Sequence, residues 1–86
     1  IIDYDYEAKQ YSTGANVAIS EQQAKQTALN KVSGATTSNI YEFRLDYDDG
    51  RYKYEGKIVY NTWEYEFEID ANTGSIIEWD VDSIYD

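Results

Sequence analysis

Four carboxylates spaced two residues apart, Glu64, Glu66, Glu68 and Asp70, form the densest run of reactive groups in the chain. On an extended strand, alternate side chains share a face and stand about 6.6–7 Å apart. That interval lies within the roughly 5–9.5 Å separating the acid and base of a glycosidase, so spacing alone permits glycoside hydrolysis, with Glu66 and Glu68 the residues to test. A flat exposed face, however, neither shifts a carboxyl pKa nor excludes water, and lysines on the neighbouring strand account for the charge. No catalytic residue is assigned, and the chain reads as a non-enzyme.

The run Asp46-Tyr47-Asp48-Asp49-Gly50 has the acidic, loop-like character of a calcium site. It departs from the EF-hand pattern, with Arg51 at the sixth position and Lys57 at the twelfth, where glycine and glutamate belong. Asp80, Asp82 and Asp86, or Asp3, Asp5 and Glu7, are read as weak cation sites or, more simply, as solvated acidic ends. No cofactor and no metal is expected. Histidine, cysteine, proline and methionine are absent, which removes Ser-His and Cys-His nucleophile pairs, His/Cys zinc sites, disulfides and thiol redox chemistry.

Ten tyrosines and two tryptophans remain. Tyrosine suits the strands of a small core with a wet rim, where the ring packs and the hydroxyl reaches water. The functional reading is a platform for a protein or a glycan, built from rigid rings with polar tips. Tyr4, Tyr6, Tyr11, Tyr60 and Tyr85, near ends or turns, are the candidates, and that reading requires them to be exposed together as one patch.

These residues must be positioned by a single small domain, since the chain has 86 residues. Seventeen acidic against seven basic residues give a net charge of -10. Nucleic acid and anionic membrane surfaces both require a basic footprint, so neither is an expected partner. No apolar run approaches the roughly 18 residues of a membrane span. With no initiator methionine and no signal peptide, the sequence reads as a domain or mature fragment of a longer chain.

Residues 1–18 form an N-terminal segment read as irregular or weakly helical. Ser20-Glu21-Gln22-Gln23 is then a capping box, and Ile19 before it and Ala24 inside it fit a hydrophobic staple. Ala24, Ala28 and Val32 make one stripe with Leu29 beside it, Lys31 sits near the helix end, and Gly34 stands where a left-handed terminator belongs. The spacing predicts a helix over 21–33, lying close to a sheet through its two alanines.

From Ile40 the period becomes two. Tyr41, Phe43, Leu45 and Tyr47 alternate with charged residues, and Asp49-Gly50 is a type I′ hairpin signal. Tyr52, Tyr54, Gly56, Ile58 and Tyr60 follow, then the turn Asn61-Thr62, then Trp63, Tyr65, Phe67 and Ile69. Asp70 to Gly74 turns into a last strand whose Ile77, Trp79 and Val81 are expected to face inward. A two-residue loop at Asp49-Gly50 sets Asp46 against Lys53, Arg44 against Glu55 and Glu42 against Lys57. Across Asn61-Thr62 the same arithmetic sets Lys57 against Glu66 and Lys53 against Asp70, with Glu55 and Glu68 a like pair. Gly56 falls between Phe43 and Phe67. The expected architecture is α+β: a two-layer α/β sandwich of one main helix (about 21–33) on a four-stranded antiparallel meander sheet (about 40–81), one face aromatic and the other laced with charge. One edge strand of such an open sheet, near Ile40–Asp48 or Ser75–Val81, is open to an extended segment of a partner.

With these motifs in order, the stretch from Ile19 to about Val81 resembles the PepSY domain, a peptidase-propeptide type. The residues that carry the resemblance are Ile19-Ser20-Glu21-Gln22-Gln23-Ala24, the second alanine Ala28, Gly34, the Asp49-Gly50 hairpin and the run from Tyr65 to Ile77 containing Asp70-Ala71-Asn72-Thr73-Gly74. Residues 19–86 are accordingly taken as a PepSY-like domain. Gly56 departs from the family, which usually has a larger apolar residue there. The resemblance implies a helix against an antiparallel sheet, no catalytic residues, and occurrence in secreted, lipoprotein or cell-envelope bacterial proteins. It further implies a protein partner, such as a secreted peptidase that the domain modulates or inhibits. The alternative is a cell-wall glycan or peptidoglycan binding module that uses exposed Tyr and Trp.

Overall fold

The computed structural model describes residues 17–85. In chain order these form helix α1 (Glu21–Leu29), a short 3-10 turn (Thr37–Asn39), and strands β1 (Ile40–Asp48), β2 (Arg51–Tyr60), β3 (Trp63–Asp70) and β4 (Ile76–Ser83). The strands pair antiparallel in sequence order, so the sheet is an open meander with β1 and β4 at its edges. The α+β architecture read from the periodicity is the one observed. What was inferred for residues 1–16, including Tyr4, Tyr6 and Tyr11, lies outside the described residues.

The helix starts where its cap places it. The Gln23 N–H donates to Ser20 Oγ at 3.1 Å, and the Ser20 N–H donates to Gln23 Oε1 at 2.8 Å. Ile19, just before the cap, anchors this end to the sheet: its N–H donates to the Ala71 carbonyl at 2.9 Å, and its carbonyl accepts from the Tyr54 hydroxyl at 2.6 Å. The helix ends at Leu29, four residues short of the expected 33. Beyond Asn30 the N–H groups of Lys31 and Val32 reach back only three residues, to Ala28 and Leu29, so the chain tightens into a 3-10 turn. Gly34, at φ 93°, closes that tightened turn rather than the α-helix itself. A side chain there would also collide with the Tyr60 ring and hydroxyl, which lie directly over it. Lys31 places its ammonium over the Trp79 ring at 5.1 Å, while Lys25 lies 5.0 Å over Phe43.

The hairpin turns follow their residues. Asp49 and Gly50 both have positive φ, 57° and 77°, as a type I′ turn requires. The β1–β2 and β2–β3 registers match the charge arithmetic pair for pair, including Asp46 with Lys53, Lys57 with Glu66, and Gly56 between Phe43 and Phe67. Ala24, Ala28, Leu29 and Val32 meet Tyr54, Ile58, Phe67, Ile69 and Ala71 in the buried core. Phe43 stacks on Tyr54 with centroids 5.3 Å apart, and Phe67 stacks on Trp79 at 6.1 Å.

Two bulges correct the simple alternation. Ile40 pairs with Ile58 but Glu42 with Lys57, so Tyr41 is the extra residue. Its ring leaves the aromatic face, and its hydroxyl donates to Glu64 on the charged side. Likewise Ile69 pairs with Ile76 but Glu68 with Glu78, which leaves Ile77 unopposed. Ile77 is therefore 41% exposed and does not face inward as expected; Ile76 takes its place against the core. A bulge absorbs one residue and reverses the facing of everything before it, and a two-residue period read from sequence cannot register that.

Candidate interaction surface

The sheet's outer face divides into two electrostatic halves. On the β1–β2–β3 side, cations interleave with acids. Arg44 bonds to Glu55 at 2.7 Å and approaches Glu42 at 3.7 Å, and Lys57 pairs with Glu66 at 3.3 Å. Lys53 sits at the centre, 3.1 Å from Glu68, 3.6 Å from Glu55 and 3.7 Å from Asp48. Its ammonium thus leans away from Asp46, its register partner, and separates the like-charged Glu55 and Glu68. The hydrogen bond to Glu68 is the main reason its pKa lies above that of an ordinary lysine.

On the β3–β4 side the pattern is lost. Glu68 opposes Glu78, Glu66 opposes Asp80, and Glu64 opposes Asp82. The three β3 acids each hold a partner from the other half: Lys53, Lys57 and the Tyr41 hydroxyl. Among the described residues, no ion pair reaches Glu78, Asp80 or Asp82. Hydrogen bonding to Asp80, with the charges of Glu68 and Asp80 behind it, raises the Glu78 pKa above that of an ordinary glutamate. Glu64 does the same to Tyr41, whose hydroxyl is pushed up to about 12, first by their hydrogen bond and then by burial. Asp70 moves the other way. The N–H groups of Asn72 and Thr73 donate to its carboxylate at 2.8 and 3.1 Å, and Arg51 lies 3.7 Å away, so its pKa is lowered, most by the Asn72 bond.

Glu66 and Glu68 therefore lie on an open face, each paired with a lysine. The depression between Arg44, Lys57, Glu66 and Glu78 encloses only about 230 Å³ and is floored by the sheet itself. Such a surface is shallow and presents charge to solvent. Among the described residues no group of three or more acids is arranged to hold a metal ion. No helix among them is long and apolar enough to cross a membrane.

Of the tyrosines singled out from sequence, Tyr60 is half-buried against Gly34 and Tyr85 is 78% exposed. Both belong to the end of the sheet bearing the Asn61-Thr62 turn, where the Ile84 N–H donates to the Thr62 carbonyl at 3.0 Å. Trp63 and Val81, 45% and 50% exposed, lie at the same end on the inner face beyond the helix. The β4 acids were not assembled from sequence, because their register depends on the bulge at Ile77. Their only signal was the alternation Glu78, Asp80, Asp82 in a strand with no basic residue.

Comparison with known proteins matches residues 18–80 to the family described as Peptidase propeptide and YPEB domain, or PepSY. An uncharacterized protein, YkoJ of Bacillus subtilis (strain 168), is 42% identical over 67 residues, 77% of this chain and 37% of that protein. Uncharacterized protein Spy1430 of Streptococcus pyogenes serotype M6 is 32% identical over 83 residues, 95% of this chain and 64% of its own length. The chain thus spans about a third of the first relative and under two thirds of the second. No solved structure matches significantly.

Proposed function

The chain belongs to the PepSY family, and from that premise we propose that it is an extracytoplasmic bacterial interaction domain that binds a protein partner and modulates a secreted peptidase. PepSY domains are generally non-catalytic and commonly extracellular or envelope-associated. The family match over nearly the whole described region carries the reading. It is supported by an open, highly charged outer face and by an apolar end at Trp63, Val81 and Ile84. Calorimetric titration against a panel of secreted metallopeptidases, with parallel activity assays, tests it. Stoichiometric binding or inhibition is the expected result. Turnover of any substrate by the domain itself, or no binding across panel and cell-wall fractions alike, would overturn it.

A second reading, a cell-wall glycan or peptidoglycan module, draws on the exposure of Trp63 and Tyr85 at one end. Titration with muropeptides should then shift the Trp63 indole resonance, and an unmoved indole removes this reading.

A further inference from the structure

We propose that the outer edge of β4 is the docking strand of this domain, and that its occupant is an extended polypeptide segment alternating lysine or arginine with apolar residues. The inference rests on the protein-binding reading above and names the chemistry of the partner. β4 is the last strand of an open sheet, and among the described residues nothing pairs with its outer side. An unpaired strand edge presents a row of backbone donors and acceptors to any chain that can lie alongside it. What selects the occupant is the side-chain pattern on β4's two faces.

On the outer face, Glu78, Asp80 and Asp82 project at alternate positions. They stand beside Glu68, Glu66 and Glu64 and, among the described residues, form no ion pair with a cation. The described basic residues are all engaged elsewhere: Arg44, Arg51, Lys53 and Lys57 in ion pairs, and Lys25 and Lys31 over aromatic rings. On the inner face, Trp79 is half-buried and Val81 half-exposed, leaving an apolar strip at the margin of the core. An added strand would place its alternate side chains against these two rows in turn. Basic residues on one side would supply the charge that β4 lacks, and apolar residues on the other would cover Trp79 and Val81.

Two other occupants are disfavoured on the same ground. Antiparallel pairing of two β4 edges would bring Glu78, Asp80 and Asp82 of one copy against those of the other. The chain's own first sixteen residues carry Asp3, Asp5 and Glu7 against a single lysine, Lys9, and so repeat the wrong sign. The β1 edge lacks this selectivity, because Arg44 lies among its acids.

The test is a nuclear magnetic resonance titration of the intact chain with a short peptide alternating lysine and valine. Three control peptides accompany it: one with glutamate for lysine, one with lysine kept but alternate backbone nitrogens methylated, and one with valine replaced by serine. Amide shifts confined to residues 76–83 are expected with the first peptide only. Affinity should fall as ionic strength rises from about 0.01 M to about 0.1 M, which shortens the screening length from about 30 Å to about 10 Å. The double variant E78K/D80K, both sites exposed and relieved of like-charge contacts, should bind about tenfold more weakly. Equal binding by the methylated peptide would mean attraction without strand pairing and would overturn the proposal, as would shifts mapping to β1 or α1. The same variant separates this inference from the broader reading. A peptidase that binds E78K/D80K as well as the parent refutes docking on β4 yet leaves the interaction domain standing. A positive peptide titration with no peptidase bound has the opposite meaning.

Discussion

Gly56 is the residue at which this sheet departs most from an ordinary strand, and replacing it with alanine tests how the core is packed. Its backbone is not in the left-handed region, so conformation is not the reason for glycine there. Space is. A Cβ at this position would strike the Phe67 ring and come within 2.9 Å of the Glu42 carbonyl oxygen on the neighbouring strand. The ring has nowhere to retreat, being 2% exposed and stacked on Trp79, and the carbonyl belongs to paired backbone. Overpacking of this sort costs about 1–3 kcal/mol. The lower entropy of the unfolded alanine chain returns about 0.4–1 kcal/mol. Gly56→Ala should therefore destabilise by roughly 0.5–2 kcal/mol. With a urea m-value of about 1 kcal/mol/M for a small domain, the midpoint would fall by about 0.5–2 M.

Phe67→Ala removes the ring and should cost about 3–5 kcal/mol. At about 0.05–0.15 kcal/mol per residue, a domain of this length holds only about 4–13 kcal/mol, so this variant stands near the edge of folding. The decisive quantity is the coupling. With the ring gone, alanine at position 56 has room on that side and meets only the Glu42 carbonyl, so the double variant should be about 1 kcal/mol more stable than the two single losses predict. Urea unfolding of the four proteins measures this directly. Additivity within about 0.3–0.5 kcal/mol, or a Gly56→Ala protein as stable as the parent, would refute the claim that Phe67 occupies the space a side chain would need.

Three further outcomes follow from single contacts. Tyr54→Phe leaves the Ile19 carbonyl without its 2.6 Å donor and should cost about 1–2 kcal/mol by the same urea assay. Glu64→Gln should return Tyr41 from about 12 toward the ordinary phenol value, read as the phenolate absorbance lost in a parallel Tyr41→Phe titration; an unchanged curve would mean the two side chains do not meet in solution. Glu78 has a raised folded pKa, so the fold favours its protonated form, and its favourable contribution is lost as pH rises through that pKa. Glu78→Gln should accordingly stabilise the domain at neutral pH, with the advantage vanishing below about pH 4, where glutamate is protonated in both states. Thermal melts across that range check it, and a destabilised variant at neutral pH would overturn the reading.

The parts of the fold that could be read in the sequence are those set by short-range chemistry. Ser20 with Gln23 and Asp49 with Gly50 involve neighbouring residues, and each hairpin loop carries its register outward for as long as the alternation is unbroken. The β1–β2–β3 charge pairs followed from that alone. What was not legible depended on contacts between distant segments. The helix stops at Leu29 because the chain must tighten to bring Gly34 beneath Tyr60, twenty-six residues later. Tyr41 and Ile77 leave the aromatic face through bulges that sequence alternation hides. The second bulge was the costlier omission, since it shifts the β3–β4 register that sets Glu78, Asp80 and Asp82 opposite Glu68, Glu66 and Glu64.

The two halves of the outer face have one origin. An aromatic inner face needs no charge of its own, yet both helix lysines are drawn to its rim to cover Phe43 and Trp79. The remaining described cations all emerge from β1 and β2, where Arg44 and Lys53 reach acids on more than one strand and Arg51 and Lys57 each pair with one acid on β3. Lys53 and Lys57 extend that neutralisation as far as β3 and no farther, because β4 lies a further strand spacing, about 4.8 Å, away. The surplus of acid over base in the sequence is therefore not spread evenly over the surface. Among the described residues it includes an unbroken row without a cation, Glu78, Asp80 and Asp82, along one of the two open edges of the sheet, and an edge built that way would discriminate by the sign of charge before any side chain is fitted.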